Sequence, residues 1–285
     1  MENNIFFSLT IPTYNSEKTF ETTLKSIMDQ TYKNYEIVVV DHESTDKTVE
    51  IAQRYGCRIF NDPKKLLNSR AIALRESRGD VLVIVCSDIV LEKTLLERMA
   101  ADFNNTTHTM QVLEEGTYNP TTWVHRLTAE DKKNTHIARE LDPSKGVLMP
   151  RAFRIGLLRE AFAKIPPDLL EYVTVQDHAI MYYECWKLSR DIGYIPNAMF
   201  HMDPGTLKEI YHHYFRWGQT AEDSLKALPE EYNKMFEGKL KNRVKLKNFF
   251  SIRFLKTLPI IFMKGFGYTC GRYHNKFKSK KEKAK

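Results

Sequence analysis

The sequence predicts an α/β protein in which helices flank a mostly parallel, doubly wound central sheet. Short apolar runs typical of buried strands alternate with segments whose apolar residues recur at helical spacing. The runs cover residues 5–11, 35–40, 57–61 and 81–85. Because crossovers between parallel strands are helical and right-handed, this alternation indicates a doubly wound topology. The 285 residues are enough for one large α/β domain with an appendage.

The predicted elements are separated by residues that end strands and begin or stop helices. The first strand breaks into a loop at Pro12, and Ser16 is expected to cap the helix that follows. A second helix stops at Gly56, and Gly79 separates a third helix from the strand over residues 81–85.

The segment over residues 104–146 is polar and hard to assign to helix or strand. It carries Tyr118 and Trp123 among Thr, Asn, Lys and His residues. Two interpretations stay open for this segment. It is either a surface excursion or part of a face that binds an acceptor by stacking aromatic rings on a sugar.

The net charge of +7 conceals a division of the chain into an acidic body and a basic tail. Residues 1–233 hold 27 basic and 34 acidic side chains, whereas residues 234–285 hold 16 basic and 2 acidic ones. In the tail, cations interrupt the apolar residues from Phe249 to Phe266, and the longest uncharged run, 257–263, is too short to span a bilayer. This pattern favours an amphipathic helix lying in the interface of an anionic membrane.

The four cysteines give no sign of a disulfide framework or a zinc site. They are widely spaced, at Cys57, Cys86, Cys185 and Cys270. This usage favours a reducing cytoplasmic compartment. Residues 1–4 lead directly into an apolar strand, so we expect no signal peptide.

Three of the predicted strands end in polar clusters. The clusters are Thr13-Tyr14-Asn15, residues 41–46 and Cys86-Ser87-Asp88. In a parallel sheet these ends lie at one edge, which is where ligands bind to open α/β sheets. Because carboxylate oxygens suit hard divalent cations, Asp88 is a candidate metal ligand at that edge.

Four motifs, in this order, resemble the nucleotide-binding half of the family 2 glycosyltransferases. They are Ile11-Pro12-Thr13-Tyr14-Asn15, Val39-Val40-Asp41-His42-Glu43-Ser44-Thr45-Asp46, Asn68-Ser69-Arg70 and Cys86-Ser87-Asp88. The similarity is strong over residues 6–90 and looser from there to about residue 218. It implies the GT-A fold, a Rossmann-like sheet flanked by helices, to which this chain adds a C-terminal helical basic extension. It also implies an inverting transfer of sugar from a nucleotide donor.

The resemblance implies a site for a UDP- or GDP-linked sugar. The implied binding residues are Pro12, Thr13, Tyr14, Asn15, Asp41, Glu43, Asn68, Arg70, Ser87 and Asp88. Asp41 would accept a hydrogen bond from the nucleobase, and Glu43 stands where many relatives have glycine. The alternatives are structural: Asp41 closes a turn after its strand, and Arg70 is a solvated arginine on a helix surface. Asp46 is expected to cap the next helix.

The resemblance also implies a metal site and a general base. Asp88 and His201 would bind Mg²⁺ or Mn²⁺, which neutralises the leaving diphosphate as a Lewis acid. Asp177 matches the second acid of the family's acidic pair, with Gln176 in place of the first, and would take the proton of the acceptor hydroxyl. The structural alternatives are a helix N-terminal acid for Asp177 and an ordinary core or surface histidine for His201.

Cys86 departs from the family pattern, in which an aspartate here makes an Asp-x-Asp triplet. A thiol is a weak hydrogen-bond partner and a poor ligand for Mg²⁺. Two functions are therefore weighed. One is a glycosyltransferase acting on a hydroxyl of a lipid-linked or cell-surface glycan; the other is a catalytically weakened sugar-nucleotide-binding or scaffold protein. A nucleotidyltransferase is disfavoured because no glycine-rich loop follows the first strand, and no nucleic-acid motif accompanies the basic tail.

These observations divide the chain into three parts. Residues 1–218 form the GT-A catalytic domain, residues 219–245 a helical linker, and residues 246–285 a basic membrane-associating tail. The last stretch, 276–285, holds six lysines and one glutamate and is expected to be disordered. The expected location is the cytoplasm, with peripheral association at the cytoplasmic face of the membrane.

Overall fold

The predicted α/β architecture is confirmed by the computed structural model, which describes residues 4–146, 148–243 and 252–283. The strands are β1 (Phe7–Thr13), β2 (Tyr35–Asp41), β3 (Arg58–Asn61), β4 (Val81–Ile84), β5 (Ile89–Leu91), β6 (Met110–Thr117), β7 (Ala152–Arg154) and β8 (Ile192–His201). The helices are α1 (Glu17–Met28), α2 (Thr48–Arg54), α3 (Leu66–Glu76), α4 (Leu95–Asn105), α5 (Trp123–Ala138), α6 (Ile155–Phe162), α7 (Asp177–Leu188), α8 (Leu207–Ala227), α9 (Glu230–Arg243) and α10 (Ile252–Lys283). A 3-10 helix covers Pro167–Glu171.

All eight strands form one sheet, in the order β3-β2-β1-β4-β7-β6-β8-β5. Strands β1 to β4 are parallel to their neighbours in that group, and β6 is parallel to β8. Strand β7 is antiparallel to β4 and β6, and β5 is antiparallel to β8. The sheet is thus mostly parallel, and the carboxyl ends of β1, β2 and β4 lie at the same edge.

The sheet is buried on both faces, which explains the continuous apolar runs of the sequence. Along β4, Val81 and Val83 belong to one hydrophobic cluster, while Leu82 and Ile84 belong to another. Successive side chains of a strand point to opposite faces, so β4 joins the two halves of the core.

The first strand is shifted by two residues from the prediction, because it begins at Phe7 and continues through Pro12 and Thr13. Thr10 accepts a hydrogen bond from Val85 on the β4 side, and Thr13 accepts one from His42 on the β2 side. The alternation of a parallel strand turns the Pro12 nitrogen toward β4, whose pairing with β1 ends at Ile84. A missing N–H therefore costs the ladder nothing at this position.

Residues 104–146 are not a surface excursion. They contain the central strand β6, with Met110, Val112 and Leu113 fully buried, and the amphipathic helix α5. The polar half of β6 obscured its strand periodicity, because Glu114 and Glu115 follow the apolar start and bind partners from other segments, Asn197 for Glu114 and Arg151 for Glu115. Both Tyr118 and Trp123 are exposed.

The basic tail is a helix docked on the body. Helix α8 runs through the predicted boundary at residue 218, and α10 packs along α8 and against α5. The prediction that residues 276–285 are disordered is wrong for the residues up to Lys283, since α10 continues to that residue. Phe249, Phe250 and the predicted linker–tail boundary lie outside the described residues. No helix of the described part is long and apolar enough to cross a membrane.

Glycines let the backbones of α8 and α10 touch. A Cβ atom added at Gly271 would lie 2.0 Å from the Phe215 carbonyl oxygen, and one at Gly218 would lie 2.1 Å from the Tyr268 carbonyl oxygen. Such distances are far inside van der Waals contact, and backbone atoms cannot swing aside as a flexible side chain can. Both positions must therefore stay without a side chain for α10 to dock.

We expect Gly271→Ala to lower the free energy of unfolding by about 1–3 kcal/mol, because the added methyl group overpacks the interface between α8 and α10. Gly265→Ala is the matched control on the same helix. An added Cβ there meets nothing within 4 Å, so the better helix propensity of alanine should stabilise the protein by up to about 1 kcal/mol. Chemical denaturation of both variants measures the difference, and equal effects would contradict the close packing.

Candidate active site

The three predicted strand-end clusters meet at the carboxyl edge of the sheet. Thr13 and Asp41 are direct neighbours in the β1–β2 register, and the Thr13 hydroxyl donates a hydrogen bond of 2.7 Å to the Asp41 carboxylate. The third cluster joins through Ser87, whose hydroxyl donates to the Ser16 hydroxyl at 2.9 Å. The geometry thus brings the ends of β1, β2 and β4 into one connected surface.

Asp41 is buried and holds the loop that follows β2. Besides Thr13, it accepts hydrogen bonds from the Ser44 backbone N–H at 2.8 Å and the Ser44 hydroxyl at 2.6 Å. The turn-closing contact weighed as an alternative is therefore present. A carboxylate has about four acceptor positions, so one remains for a ligand.

The loops around Asp41 display Tyr14, Asn15 and Glu43. Tyr14 is exposed and packs edge-to-face on His42, with ring centroids 5.5 Å apart. Asn15 and Glu43 adopt left-handed backbone angles, with φ of 46° and 54°. This conformation favours glycine, which explains why glycine is usual in the family at the position of Glu43. The Glu43 side chain is exposed.

Asn68 turns toward a residue that the sequence analysis did not single out. Its amide donates to the buried Asp62 carboxylate at 2.6 Å, as does the Ser69 hydroxyl. Asp62 also accepts from the Lys64 backbone N–H, so it fixes the start of α3. Asp46, expected to cap the next helix, accepts from the Thr48 backbone N–H at 3.0 Å.

Arg70 and Asp177 form a buried ion pair. Arg70 Nε lies 3.0 Å from Asp177 Oδ2, and each residue is only 5% exposed. Arg70 is therefore not a solvated surface arginine. Its Nη1 atom, like Oε1 of the neighbouring Gln176, is buried without a hydrogen-bond partner in the described part of the chain. The pair joins α3 to the N-terminus of α7 and places the predicted general base beside the predicted diphosphate-binding cation.

A second network links Asp88, His201, Glu115, Arg151 and Cys86. His201 Nδ1 lies 3.7 Å from Asp88 Oδ1, and His201 Nε2 lies 2.8 Å from Glu115 Oε2. Arg151 Nε donates to Glu115 Oε1 at 2.5 Å, while its Nη1 lies 3.7 Å from the Cys86 sulfur. Cys86 therefore faces a cation where the family has an acid.

Sequence reasoning missed Glu115 and Arg151. Glu115 belongs to the polar segment that could not be assigned, and Arg151 directly precedes the three-residue strand β7. The one available signal was a glutamate pair within a run that begins Met110-Gln111-Val112-Leu113. Charged residues that interrupt a buried strand need a partner in the interior.

The second network is ionised and nearly balanced in charge. Burial lowers the pKa of His201, but the nearby Asp88 and Glu115 carboxylates outweigh it and raise the pKa to about 9. Burial raises the pKa of Asp88, yet His201 and the Arg151 charge hold it below its ordinary value. Glu115 responds in the same way, since Arg151 and His201 overcome the effect of burial and hold its pKa well below the ordinary value.

Asp88 and His201 fit a divalent cation whose remaining ligands come from the phosphate oxygens of a bound nucleotide. A carboxylate oxygen and an imidazole nitrogen suit Mn²⁺ and Mg²⁺, and the Asp88 side chain keeps 38% exposure toward the cleft. Among the described residues no group of three or more His, Cys, Asp or Glu side chains is placed to hold a metal. Two protein ligands are typical where phosphate oxygens complete the coordination.

Helix α8 borders the network through His213. Burial lowers the pKa of His213, and the charge of Arg216 acts in the same direction, whereas the Asp88 and Asp203 charges oppose it. The His213 ring packs on Trp217 at a centroid distance of 4.9 Å. Since α8 is docked on α10, the wall of the site beside Asp88 continues into the tail helix.

A profile of the family described as Glycosyl transferase family 2 matches residues 8–165, more than half of the chain. The chain therefore belongs to glycosyl transferase family 2, as the motifs predicted. The match runs from the second residue of β1 through β7 and contains all four motifs.

Two bacterial relatives show how far the similarity extends in sequence. The poly(ribitol-phosphate) β-N-acetylglucosaminyltransferase TarS of Staphylococcus aureus is 36% identical over 104 residues, which is 33% of this chain and 18% of TarS. The putative glycosyltransferase EpsH of Bacillus subtilis is 24% identical over 257 residues, or 81% of this chain and 71% of EpsH. The chain thus matches less than a fifth of the length of TarS.

Two solved structures share the fold. A crystal structure of S. aureus TarS 1–349 has a TM-score of 0.58 and 21% identity, covering 91% of this chain and 81% of that one. The mannosyltransferase PcManGT of Pyrobaculum calidifontis, solved with GDP-Man and Mn²⁺, has a TM-score of 0.53 and 16% identity, covering 91% and 74%. These likenesses extend beyond the profile match and confirm the GT-A fold prediction.

His178 provides a pH-dependent test of the packing behind the site. Its Nε2 lies 2.6 Å from the Pro150 carbonyl oxygen, and burial lowers its pKa from 6.5 to about 3, assisted by the charges of Arg151 and Arg70. Between pH 3 and pH 6.5 the unfolded chain therefore binds one proton at His178 that the folded chain does not bind. We expect the free energy of unfolding to fall with decreasing pH below about 6.5, by about 1.4 kcal/mol per unit from this residue.

The free energy of unfolding is measured by denaturation from pH 7 to pH 4 for wild type and for His178→Gln. The contribution of His178 is the difference between the two slopes of this free energy against pH. Gln keeps a donor for Pro150 but does not titrate. His212→Gln on the exposed face of α8 is the control and should keep the wild-type slope. A His178→Gln slope equal to wild type would contradict the neutral buried imidazole.

Proposed function

We propose that the protein is an inverting, metal-assisted glycosyltransferase that moves a sugar from a UDP- or GDP-linked donor to a hydroxyl of a lipid-linked or cell-surface glycan. One observation carries this proposal. In a family 2 chain, the buried Arg70–Asp177 pair and the Asp88–His201 pair belong to the same carboxyl edge of the sheet. Relatives with the same fold have been solved with UDP-GlcNAc, UDP and GDP-Man, which supports a nucleotide-sugar donor.

The donor would lie across the ends of β1, β2 and β4. Asp41, with its remaining acceptor position, would take a hydrogen bond from an N–H of the nucleobase, and the exposed Tyr14 ring would line the base pocket. Asn15 and Glu43 shape the two loops on either side. This assignment places the diphosphate toward Ser87 and Asp88, one strand further along the sheet.

The leaving diphosphate needs positive charge as the glycosidic bond breaks. Mg²⁺ or Mn²⁺ held by Asp88 and His201 would act as a Lewis acid toward the phosphate oxygens. The buried guanidinium of Arg70 adds charge from the protein itself, since its Nη1 has no protein partner in the described residues. A preorganised cation in a water-poor site is far more effective than one in bulk solvent.

Asp177 would be the general base. Arg70 Nε binds one carboxylate oxygen, Oδ2, at 3.0 Å, which orients the group and leaves Oδ1 for the acceptor hydroxyl. Removal of the hydroxyl proton as the oxygen attacks the anomeric carbon, from the face opposite the diphosphate, inverts that centre.

The competing function is a catalytically weakened sugar-nucleotide-binding protein. It is favoured by the position of Cys86, whose sulfur faces Arg151 instead of supplying a second acid. Turnover distinguishes the two functions, because both require donor binding.

The enzyme assay incubates the full chain with Mn²⁺, an acceptor-rich membrane extract and separate UDP- and GDP-sugars, and measures released nucleotide. Asp177→Asn should reduce turnover at least about 100-fold, as expected for loss of a general base, while nucleotide binding remains. Asp168→Asn, on the exposed side of the 3-10 helix, is the control. Nucleotide binding without turnover in wild type would support the weakened protein, and an active Asp177→Asn variant would overturn the assignment of the base.

We also propose that α10 binds an anionic membrane at the cytoplasmic face. Four large apolar residues of α10 are at least half exposed: Leu255, Phe262, Phe266 and Tyr273. Their spacings of seven, four and seven residues place them within about 20° of one line along the helix, at 100° per residue. The opposite face is docked on α8. Within the stripe, Phe266 also packs against Tyr211 of α8, with ring centroids 5.7 Å apart, and Phe262 stacks on Phe266, but all four side chains keep a solvent-exposed surface.

The charge of the tail favours an anionic lipid surface as the partner of this stripe. Six of the ten residues from 276 to 285 are lysines, and basic residues beside an interfacial helix each add about 1 kcal/mol of attraction to an anionic leaflet. A second copy of the chain would bring two such lysine runs together, which their repulsion opposes. Membrane association would also place the site beside lipid-linked acceptors.

The membrane proposal is tested by sedimentation with vesicles of phosphatidylglycerol and phosphatidylcholine. Phe262→Ser/Phe266→Ser should lower the bound fraction at least about tenfold, because each aromatic ring contributes 1.5–3 kcal/mol of burial. Met28→Ser, an exposed apolar residue on α1, should bind like wild type. Equal binding of all three proteins would contradict the proposal, as would wild-type self-association through the stripe without vesicle binding.

A further inference from the structure

Glu115 lies in the centre of the site although no motif contains it. Its strand, β6, pairs in parallel with β8, and the register shifts after Leu113, so that Glu115 is opposite Met199 and Thr117 is opposite His201. Strand β8 holds two extra residues at this bulge. Without them His201 would lie opposite residue 119, beyond the end of β6. The bulge therefore brings His201 two residues closer to Glu115, opposite Thr117 on the same strand.

Glu115 contacts one of the two ring nitrogens of His201. Its Oε2 lies 2.8 Å from His201 Nε2, closer than Arg151 Nη2, which lies 3.5 Å from the same nitrogen. A hydrogen on Nε2 would therefore be donated to Glu115. The other nitrogen, Nδ1, is the one turned to Asp88. A histidine that binds a metal through one nitrogen commonly donates its other N–H to a carboxylate, which fixes the tautomer and the plane of the ring.

Arg151 in turn holds Glu115. Arg151 Nε binds Glu115 Oε1, the oxygen that His201 does not use, and both side chains are largely buried. Of the other two guanidinium nitrogens, Nη1 lies 3.7 Å from the Cys86 sulfur and Nη2 lies 3.5 Å from His201 Nε2. An acid at position 86 would compete with Glu115 for Arg151, whereas a thiol competes weakly.

We propose that Glu115 is a positioning residue for the metal site, which presents His201 Nδ1 to the cation and is itself held by Arg151. In this arrangement the fixed carboxylate on β6 replaces the acid that is absent at position 86. The inference rests on the proposed function, because it requires that Asp88 and His201 bind Mg²⁺ or Mn²⁺.

The test measures Mn²⁺ binding to the full chain with saturating UDP and, separately, with saturating GDP, by the loss of the free Mn²⁺ signal in electron paramagnetic resonance; the variants are compared with the nucleotide that supports binding in wild type. Glu115→Gln should weaken Mn²⁺ binding about 10- to 100-fold, as is usual when the partner of a metal-bound histidine is changed. Glu114→Gln is the matched control on the neighbouring residue. Glu114 accepts a hydrogen bond from the Asn197 backbone N–H, which glutamine can still accept, so its Mn²⁺ affinity should equal wild type.

A spectroscopic measurement separates positioning from a general loss of structure. Electron spin-echo envelope modulation should detect one directly bound imidazole nitrogen in wild type and in Glu114→Gln, and this coupling should be lost or altered in Glu115→Gln. If Glu115→Gln does not fold, Arg151→Lys replaces it, since lysine keeps the charge but cannot bridge Glu115 and Cys86; a several-fold weaker Mn²⁺ affinity is expected.

Different results would refute the proposed metal site and the proposed role of Glu115. Absence of Mn²⁺ binding or of imidazole coupling in wild type would refute the metal part of the proposed function. Wild-type binding with imidazole coupling, together with unchanged affinity and coupling in Glu115→Gln, would overturn the role of Glu115 and leave the proposed function standing.

Discussion

Parallel pairing of β1 with β2 and β4 is the constraint on which the site depends. Because the three strands run in the same direction, their last residues emerge at one edge, and the residues after each strand are polar because they no longer lie between helices. The Thr13–Asp41 contact is a direct result of this register. The same geometry brings Ser87 to Ser16, although the two are 71 positions apart in the chain.

Two buried networks occupy this edge, and they meet the cost of burying charge in the same way. Each contains cations and carboxylates in direct contact: Arg70 with Asp177, and Arg151 with Glu115. Removing one member of a buried pair leaves an uncompensated charge, which typically costs 3–5 kcal/mol. His178 lies between the networks, and the two arginines help keep its imidazole neutral.

The sequence alone predicted most of the first half of the fold and the residues at the strand ends, because buried parallel strands are continuous apolar runs that end abruptly. It predicted the second half poorly. Strand β6 is apolar only at its start, and β7 has three residues, so neither provides a usable period. Arg70 was ambiguous because helix periodicity does not distinguish a surface arginine from one paired with a distant aspartate. Glu115 and Arg151 depend on the bulge in β8 and on antiparallel pairing of β7, which are long-range features.

The glycine contact between α8 and α10 would fix the distance between Asp88 and a membrane bound to α10. Helices whose backbones touch through glycine have little room to slide or tilt, so α10 is held against α8, the helix that carries His213 and Trp217. A membrane bound along the apolar stripe of α10 would stay at a constant height from Asp88, set by two helix diameters of about 10 Å each. Such a chain would act as a ruler, with the length of the acceptor above the lipid surface deciding which hydroxyl reaches the site.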